Sequence, residues 1–288
     1  MHYFKPKSDI TLAAHQVFEG HSHGYFQTPL VDHTSGSVHT GLSLCQLNPD
    51  GEVAPHVHSF EEGFYLLEGA PEIGMKDEVY SLRPGDFGVA KVGWQHAWHN
   101  SGHKPARWLQ MAAPQPKPIG KERDTFFAKN GKFRGGAKPL DLTNLNGTLF
   151  GHFDMGQVPA GADRSAAVAG SPGAGVFLKW LIDEKFGARH QRMVFIEYEP
   201  GANIQPHDHT FEESYFLLSG EVEGIMDGER YLAQPGDVLW TGVGCVHSFN
   251  NIGNGPVRWL ETFAPQPPLE DVFRFMHEWH KRAAEIEG

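Results

Sequence analysis

Short apolar runs, cut by glycine and proline, recur along the whole chain. Glu62 to Leu67 and Glu213 to Leu218 are apolar-rich and end at Gly69 and Gly220. Phe87 to Ala90 and Val238 to Thr241 follow Pro-Gly-Asp turns, and Val257 to Phe263 is a further run. Short runs at close spacing with turn residues between them predict β-strands in a sandwich or barrel. The exception is the tail. From Leu269 to Ile286, Val272, Phe273, Met276, Trp279, Ala283 and Ile286 recur at helical spacing, and Pro268 suits a first turn, so a C-terminal helix is predicted.

The pattern also repeats. At an offset of 151 residues, His56-Val57-His58-Ser59-Phe60-Glu61-Glu62 falls on His207-Asp208-His209-Thr210-Phe211-Glu212-Glu213. Pro84-Gly85-Asp86, His96, Asn100, Arg107-Trp108-Leu109 and Ala113 to Pro116 fall on their counterparts at the same offset, without a gap. Upstream, Gly36 and His39 fall on Gly187 and His190. The unit is too long for a solenoid repeat, so each copy is read as a domain. The division is 1–116, a basic linker at 117–150, and 151–288. The linker carries Lys117, Lys121, Arg123, Lys129, Lys132, Arg134 and Lys138 in an otherwise acidic chain and reads as a solvated connector.

Composition narrows the class. The chain has 288 residues, 40% hydrophobic and 20% charged, which is that of a globular protein. A net charge of −11 argues against nucleic-acid binding, which needs a basic surface. No apolar run is long enough for a membrane span, and Met1 to Gly20 holds no secretory apolar core. Two cysteines, Cys45 and Cys245, make no disulfide framework, and a cytoplasmic location is the expectation.

Eighteen histidines suggest a metal, and spacing makes the case. In a strand, side chains alternate, so a His-x-His pair puts both rings on one face and a carboxylate at the same parity joins them. Each copy offers one such set, completed by a histidine from a later strand. The sets are His56, His58, Glu62 and His96, then His207, His209, Glu213 and His247. Three imidazoles and a carboxylate suit a first-row divalent ion. Fe(II) or Mn(II) is expected, with Ni, Cu or Zn as alternatives, and up to two ions per chain.

The second copy reads Gly201, His207-x-His209, Glu213 and Gly220, then Gly236, Gly242-Val243-Gly244, His247 and Asn251. This resembles the two motifs of the cupin superfamily, with Gly242 where that family usually has Pro. The first copy has one residue fewer between Gly51 and His56, and Lys91 at the Pro position. The resemblance covers both copies, so the chain looks like a bicupin. It implies an all-β fold of two tandem jelly-roll barrels, here with the C-terminal helix added, and a metal inside each barrel.

Parity then places other residues around each ion. Phe64, Trp94 and Trp98 would line the first pocket; Tyr215, Cys245 and Phe249 would face the second. Glu61 and Glu212, at opposite parity, would point outward or support the site from behind. His39 and His190 either bond to the site or merely sit on a strand, and His21, His23 and His33 read as surface residues. Arg107 and Arg258 read as structural ion-pair partners.

The leading expectation is a dioxygenase for an aromatic or enolic small molecule, like the quercetinases and gentisate dioxygenases that the chain resembles. Glu62, Glu213 and Tyr215 are its candidate proton-handling groups, and Phe64, Trp94, Trp98 and Phe249 its substrate contacts. The alternatives are a hydrolase or isomerase of a small polar metabolite, resembling ureidoglycine aminohydrolase, and a non-enzymatic metal- or ligand-binding cupin. A homo-oligomer is expected from the family resemblance alone.

Overall fold

In the computed structural model the described residues are 1–75, 78–128, 133, 135–142, 149–164, 175–266 and 274–275. They form β-strands with three short 3-10 turns, and the all-β expectation holds. Among them no helix is long and apolar enough to cross a membrane. The helix expected at Leu269–Ile286 falls mostly outside the described residues. Within it, Arg274–Phe275 form a strand and not a helix, pairing antiparallel with His207 and Asp208. Helical spacing in the tail is overridden there by an open strand edge that needs backbone partners.

Each repeat folds as two facing sheets. In the first, one long strand, Gly41–His58, bends through both sheets and pairs with Ala106–Ala113 and with His96–His99. In the second, the same stretch is broken into Arg192–Tyr198 and Asn203–Asp208, which separates its two sheets. The Pro-Gly-Asp turns recur for a local reason. Gly85 and Gly236 take φ of +90° and +94°, a region L side chains rarely adopt. Asp86 and Asp237 then each accept a backbone N–H three residues back at 2.8 Å.

The apolar runs are nearly unbroken because both faces of these strands are buried. In Glu61–Glu68, Phe64 and Leu66 turn into the first barrel, while Tyr65 faces the second repeat. A shared cluster of Leu42, Tyr65, Leu109 and Met111 with Met193, Phe195, Phe216 and Leu260 joins the repeats. The repeats also exchange arms. His2–Lys5 pairs with Val238–Thr241 of the second repeat, and Phe150–His152, from the segment before the second repeat, pairs with Asp86–Ala90 of the first. The sheets thus draw strands from both sides of positions 116 and 151.

Candidate metal centres

The two histidine sets assemble. Donor atoms of His56, His58 and His96 lie within 4.8 Å of one another, and those of His207, His209 and His247 do the same. The backbone explains why. His56 lies opposite His96 across one strand pair, and His207 opposite His247 across its equivalent. All six rings are buried. Glu62 closes the first set, with Oε2 3.0 Å from His58 Nε2 and Oε1 3.5 Å from His96 Nε2. Glu213 Oε2 lies 2.8 Å from His209 Nε2 and 3.4 Å from His247 Nε2.

The other ring nitrogens settle which tautomer fits. His56 Nδ1 contacts the Ala54 carbonyl at 2.8 Å, and His96 Nδ1 that of Trp94 at 3.1 Å. His207, His209 and His247 direct Nδ1 to the carbonyls of Gln205, Phe211 and Cys245 at 2.8–2.9 Å. A carbonyl only accepts, so Nδ1 carries the proton and Nε2 presents a lone pair. The Nε2 atoms of His58, His96 and His247 are buried and make no hydrogen bond. Buried lone pairs converging on a carboxylate, with no proton between them, are a donor set that a divalent cation fits. Both groups of residues could hold a metal ion.

Electrostatics agree. Burial, followed by the neighbouring rings His96 and His58, holds His56 well below the usual imidazole range. His207 is pushed down to about 3, first by burial and then by His247. Burial opposes the charge on Glu62 and Glu213, yet the adjacent imidazoles hold both carboxyls well below their ordinary range. His56 and His207 are thus held neutral beside an anionic carboxylate, while at His96 burial opposes the charged form but Glu62 outweighs it and raises the ring.

The remaining candidates are placed as follows. Phe64 and Trp98 are buried and meet edge to face at 5.0 Å, and Trp98 stacks on Trp108 at 4.5 Å. Trp94 is half-buried with the Lys91 ammonium 5.5 Å over its ring. Phe249 packs against Tyr215 at 4.6 Å. Tyr215 donates its hydroxyl hydrogen to Glu213 Oε2 and lies 3.4 Å from Thr241 Oγ1. Glu61 and Glu212 do point out of their barrels, but into the junction between the repeats. His39 and His190 contribute their backbone N–H groups to those two carboxylates. Arg107 pairs with Glu68 at 3.0 Å and Arg258 with Glu197 at 2.6 Å.

A cavity of about 380 Å³ opens in the mouth of the first barrel. Its wall includes His58, Phe60, Thr125, Ser43, Gln27 and Gln110, and Phe18 and Ile119 help cover it. Phe64, Trp94 and Trp98 are not in that wall.

Sequence reasoning missed three groups. Phe60 and Phe211 stack on His58 and His209 at 4.3 and 4.0 Å, and their place inside the repeated motif was a usable signal. Thr125, from the segment read as a linker, meets His58 Nδ1 at 2.9 Å, and nothing in the sequence pointed to it. Glu261 lies at the offset position of Gln110, so the exchange of amide for acid was visible. Burial and then the charge of Glu213 push its carboxyl well above the usual range.

Comparison with known proteins follows the same lines. The Cupin domain family matches residues 43–111 and 194–263, once in each repeat. Polyketide synthase CurC of Streptomyces cyaneus is 28% identical over 97 residues, 33% of this chain and 63% of that protein. The 5-nitrosalicylic acid 1,2-dioxygenase of a Bradyrhizobium sp is 36% identical over 61 residues, 21% of this chain and 30% of that protein. The chain thus spans less than two thirds of the length of these relatives. Oxalate decarboxylase of Lactobacillus farciminis superposes with a TM-score of 0.65 at 16% identity, over 96% of this chain and 89% of that one. Salicylate 1,2-dioxygenase from Pseudoaminobacter salicylatoxidans gives 0.64 at 14% identity, over 83% and 73%. At these identities the structural likeness is one of fold. With two jelly-roll barrels, a cupin match in each and a histidine triad in each, the chain is a bicupin of the cupin superfamily.

Proposed function

We propose that this bicupin is a metal-dependent dioxygenase acting on an aromatic or enolic small molecule. The observation that carries the reading is the cavity of about 380 Å³ whose wall includes His58 of the first donor set. A volume of that order suits one aromatic ring with substituents. His56, His58, His96 and Glu62 would hold the ion there, with His207, His209, Glu213 and His247 holding a second in the other barrel. Fe(II) or Mn(II) suits this nitrogen-rich set with one carboxylate. Such an ion, when bound, lowers the pKa of a coordinated hydroxyl and brings dioxygen and substrate together.

The chain's own residues supply the rest. Phe18, Phe60 and Ile119 shape an apolar slot for a flat ring. Gln110 and Gln27 place amides in the same wall that can hold a hydroxyl or carbonyl in register. Glu62, with Oε2 3.0 Å from His58 Nε2, is the carboxylate of this set that would take a substrate proton. The partial match to a 5-nitrosalicylic acid dioxygenase supports the oxygenase reading.

A second reading is hydrolysis or isomerisation of a small polar metabolite. It is favoured by the Tyr215–Glu213 hydrogen bond, which places a proton donor beside the second set. The test is oxygen uptake by the metal-loaded protein with catechol, gentisate, salicylate and a flavonol. Uptake with ring or enol cleavage is expected. Turnover of polar metabolites under argon, with no oxygen uptake on any member of the panel, would replace this reading with the second one.

A further inference from the structure

A further group of metal donors lies outside both histidine sets. Donor atoms of His2, Asp227 and Cys245 lie within 4.8 Å of one another. Three separate segments bring them there. His2 opens the arm His2–Lys5 and lies opposite Thr241. Asp227, at φ +49°, sits in the turn between Val222–Met226 and Glu229–Ala233, and Cys245 leads into the strand His247–Asn250. Asp-Gly is an ordinary pair for such a turn, so the turn alone accounts for an aspartate there. It does not account for the imidazole and the thiol that meet it. At the 151-residue offset the first repeat has Lys76 and Trp94 where the second has Asp227 and Cys245, so these two donors are no part of the shared pattern.

Hydrogen bonding decides which atoms face a cation. Tyr231 spends its one proton on Glu229 Oε2 at 2.7 Å. Its oxygen therefore accepts from His2 Nε2, 3.0 Å away. In the neutral ring Nδ1 then carries the lone pair, and it faces Asp227 Oδ2 at 3.4 Å, acceptor against acceptor. The Tyr231–Glu229 pair is the kind of outer partner that orients a metal-ligating histidine. Asp227 is fixed as well. Its Oδ1 accepts the Val246 N–H at 3.0 Å, and its Oδ2 also meets the Met1 nitrogen at 2.9 Å. Cys245 is buried, and its sulfur contacts the Val246 carbonyl at a long 3.9 Å.

We infer that His2 Nδ1, a carboxylate oxygen of Asp227 and the Cys245 sulfur form a third metal site, which takes a borderline-soft divalent ion such as Zn(II). One nitrogen, one oxygen and one sulfur, with a place left for water, make a four-coordinate set of the kind zinc accepts, and the sulfur disfavours hard ions. Binding exchanges protons for the ion. In the metal-free chain, burial and then Asp227 push the Cys245 thiol up to about 12. As the sulfur–metal bond forms, the thiol proton passes to solvent, and the ion replaces the Met1 contact on Asp227. The role is structural. The ion fastens the arm to the turn and to the segment entering His247–Asn250. The Cys245 carbonyl meets His247 Nδ1 at 2.9 Å, so the same ion braces one ring of the second histidine set from outside. None of this depends on the oxygen chemistry proposed above.

The experiment reloads metal-free, full-length, untagged protein with Co(II) as the probe, under reducing conditions. A thiolate ligand adds a near-ultraviolet sulfur-to-cobalt charge-transfer band, which neither histidine set can give because neither holds a sulfur. The parent should show this band, with one cobalt bound beyond those of the histidine sets. Cys245→Ser should abolish the band and lower the cobalt content by about one ion per chain, whereas Cys45→Ser should change neither. Asp227→Asn removes the charge but keeps a residue that the turn accepts. It and His2→Gln should each weaken the cobalt that gives the band by at least about tenfold, since loss of an outer partner alone can do as much. Zn(II) should displace that cobalt and raise the Tm of the parent more than that of Cys245→Ser, Asp227→Asn or His2→Gln. Absence of the band from the parent would overturn the inference. So would a band of unchanged affinity in both Asp227→Asn and His2→Gln, because the thiol would then bind the ion without them. No oxygen uptake is read, so failure of the oxygenase reading leaves the result standing.

Discussion

The carboxylate of Glu212, in the second repeat, accepts the backbone N–H of Val38, in the first, at 2.8 Å. The same carboxylate takes the Ser37 hydroxyl at 2.6 Å and the His39 N–H at 3.1 Å. Glu61 reciprocates, accepting the N–H groups of Arg189 at 2.9 Å and His190 at 3.1 Å. Each repeat therefore sends the glutamate beside its candidate metal ligand into the opposite repeat's loop. This explains why Gly36 and His39 recur as Gly187 and His190. The Gly36 and Gly187 φ angles of +96° and +109° turn those loops so that successive N–H groups face one anion.

Truncating this hook should loosen the junction and leave the metal sets in place. Glu212→Ala leaves the N–H groups of Val38 and His39 without their acceptor in a junction where Glu212 is only 3% exposed. Orphaned groups of that kind cost about 1–3 kcal/mol each, so a loss of about 2–4 kcal/mol is expected. Thermal melting should show it as a lowered Tm, with metal content unchanged. A variant that melts like the parent would show that the apolar junction alone holds the repeats together.

The contact from Thr125 to His58 gives a separate prediction. Thr125→Val keeps the shape but removes the hydroxyl that meets His58 Nδ1. The ring is then freer to turn, and loss of such an outer partner typically lowers metal affinity by about 10- to 100-fold. Competition with a chelator should release one ion per chain more readily and leave the other untouched. Equal release of both ions would mean that the Phe60 stack alone orients the ring.

Much of this was legible in the sequence, for reasons that can be named. The repeat gave the two barrels, because identical turns such as Pro84-Gly85-Asp86 and Pro235-Gly236-Asp237 must make identical corners. Strand parity found both donor sets, because His56 and His58 share a face and Glu62 follows at the same parity. Parity says nothing, however, about what lies beyond a barrel wall. Glu61 and Glu212 therefore read as outward residues or supports of their own site and not as hooks, and Tyr65 could not be assigned to the junction. Thr125 was hidden because a segment rich in lysine and glycine carries no pattern that predicts an added strand. The same holds for the tail, where Arg274–Phe275 answer to an open strand edge made by residues far away in sequence. The cavity wall was missed in part because Phe18 and Ile119 come from outside the repeat.

Removal of single ligands tests whether the two sets work independently. His56→Ala and His207→Ala each delete one nitrogen from a different triad. In protein purified without an affinity tag, each variant should lose about one ion per chain relative to the parent, since three remaining donors hold a divalent ion far less well. Elemental analysis reads this directly. Metal content unaffected by either change would place the ions elsewhere.

Acid should destabilise the metal-free protein, and the sign follows from the buried rings. His207 lies at about 3 in the folded chain, and His56 and His58 are also lowered, chiefly by burial. In the unfolded chain these rings titrate near 6.5, at about the free imidazole value. Between those values the unfolded chain binds more protons than the folded one, so stability falls as the pH falls. Their contribution is fully present above pH about 6.5 and is lost progressively below it, by up to about 1.4 kcal/mol per ring per pH unit. His96 opposes the trend, because its charged form gains from Glu62 more than burial takes away. Glu62 and Glu213, held below their ordinary range, extend the loss to still lower pH. Urea midpoints measured on metal-free protein from pH 7.5 down to 4.5 should therefore decline steadily, and His207→Gln should flatten the slope by close to one proton. A midpoint independent of pH over that range would mean that the rings are charged, or open to water, in the folded protein, and the buried lone pairs that make these sets fit a metal would not exist.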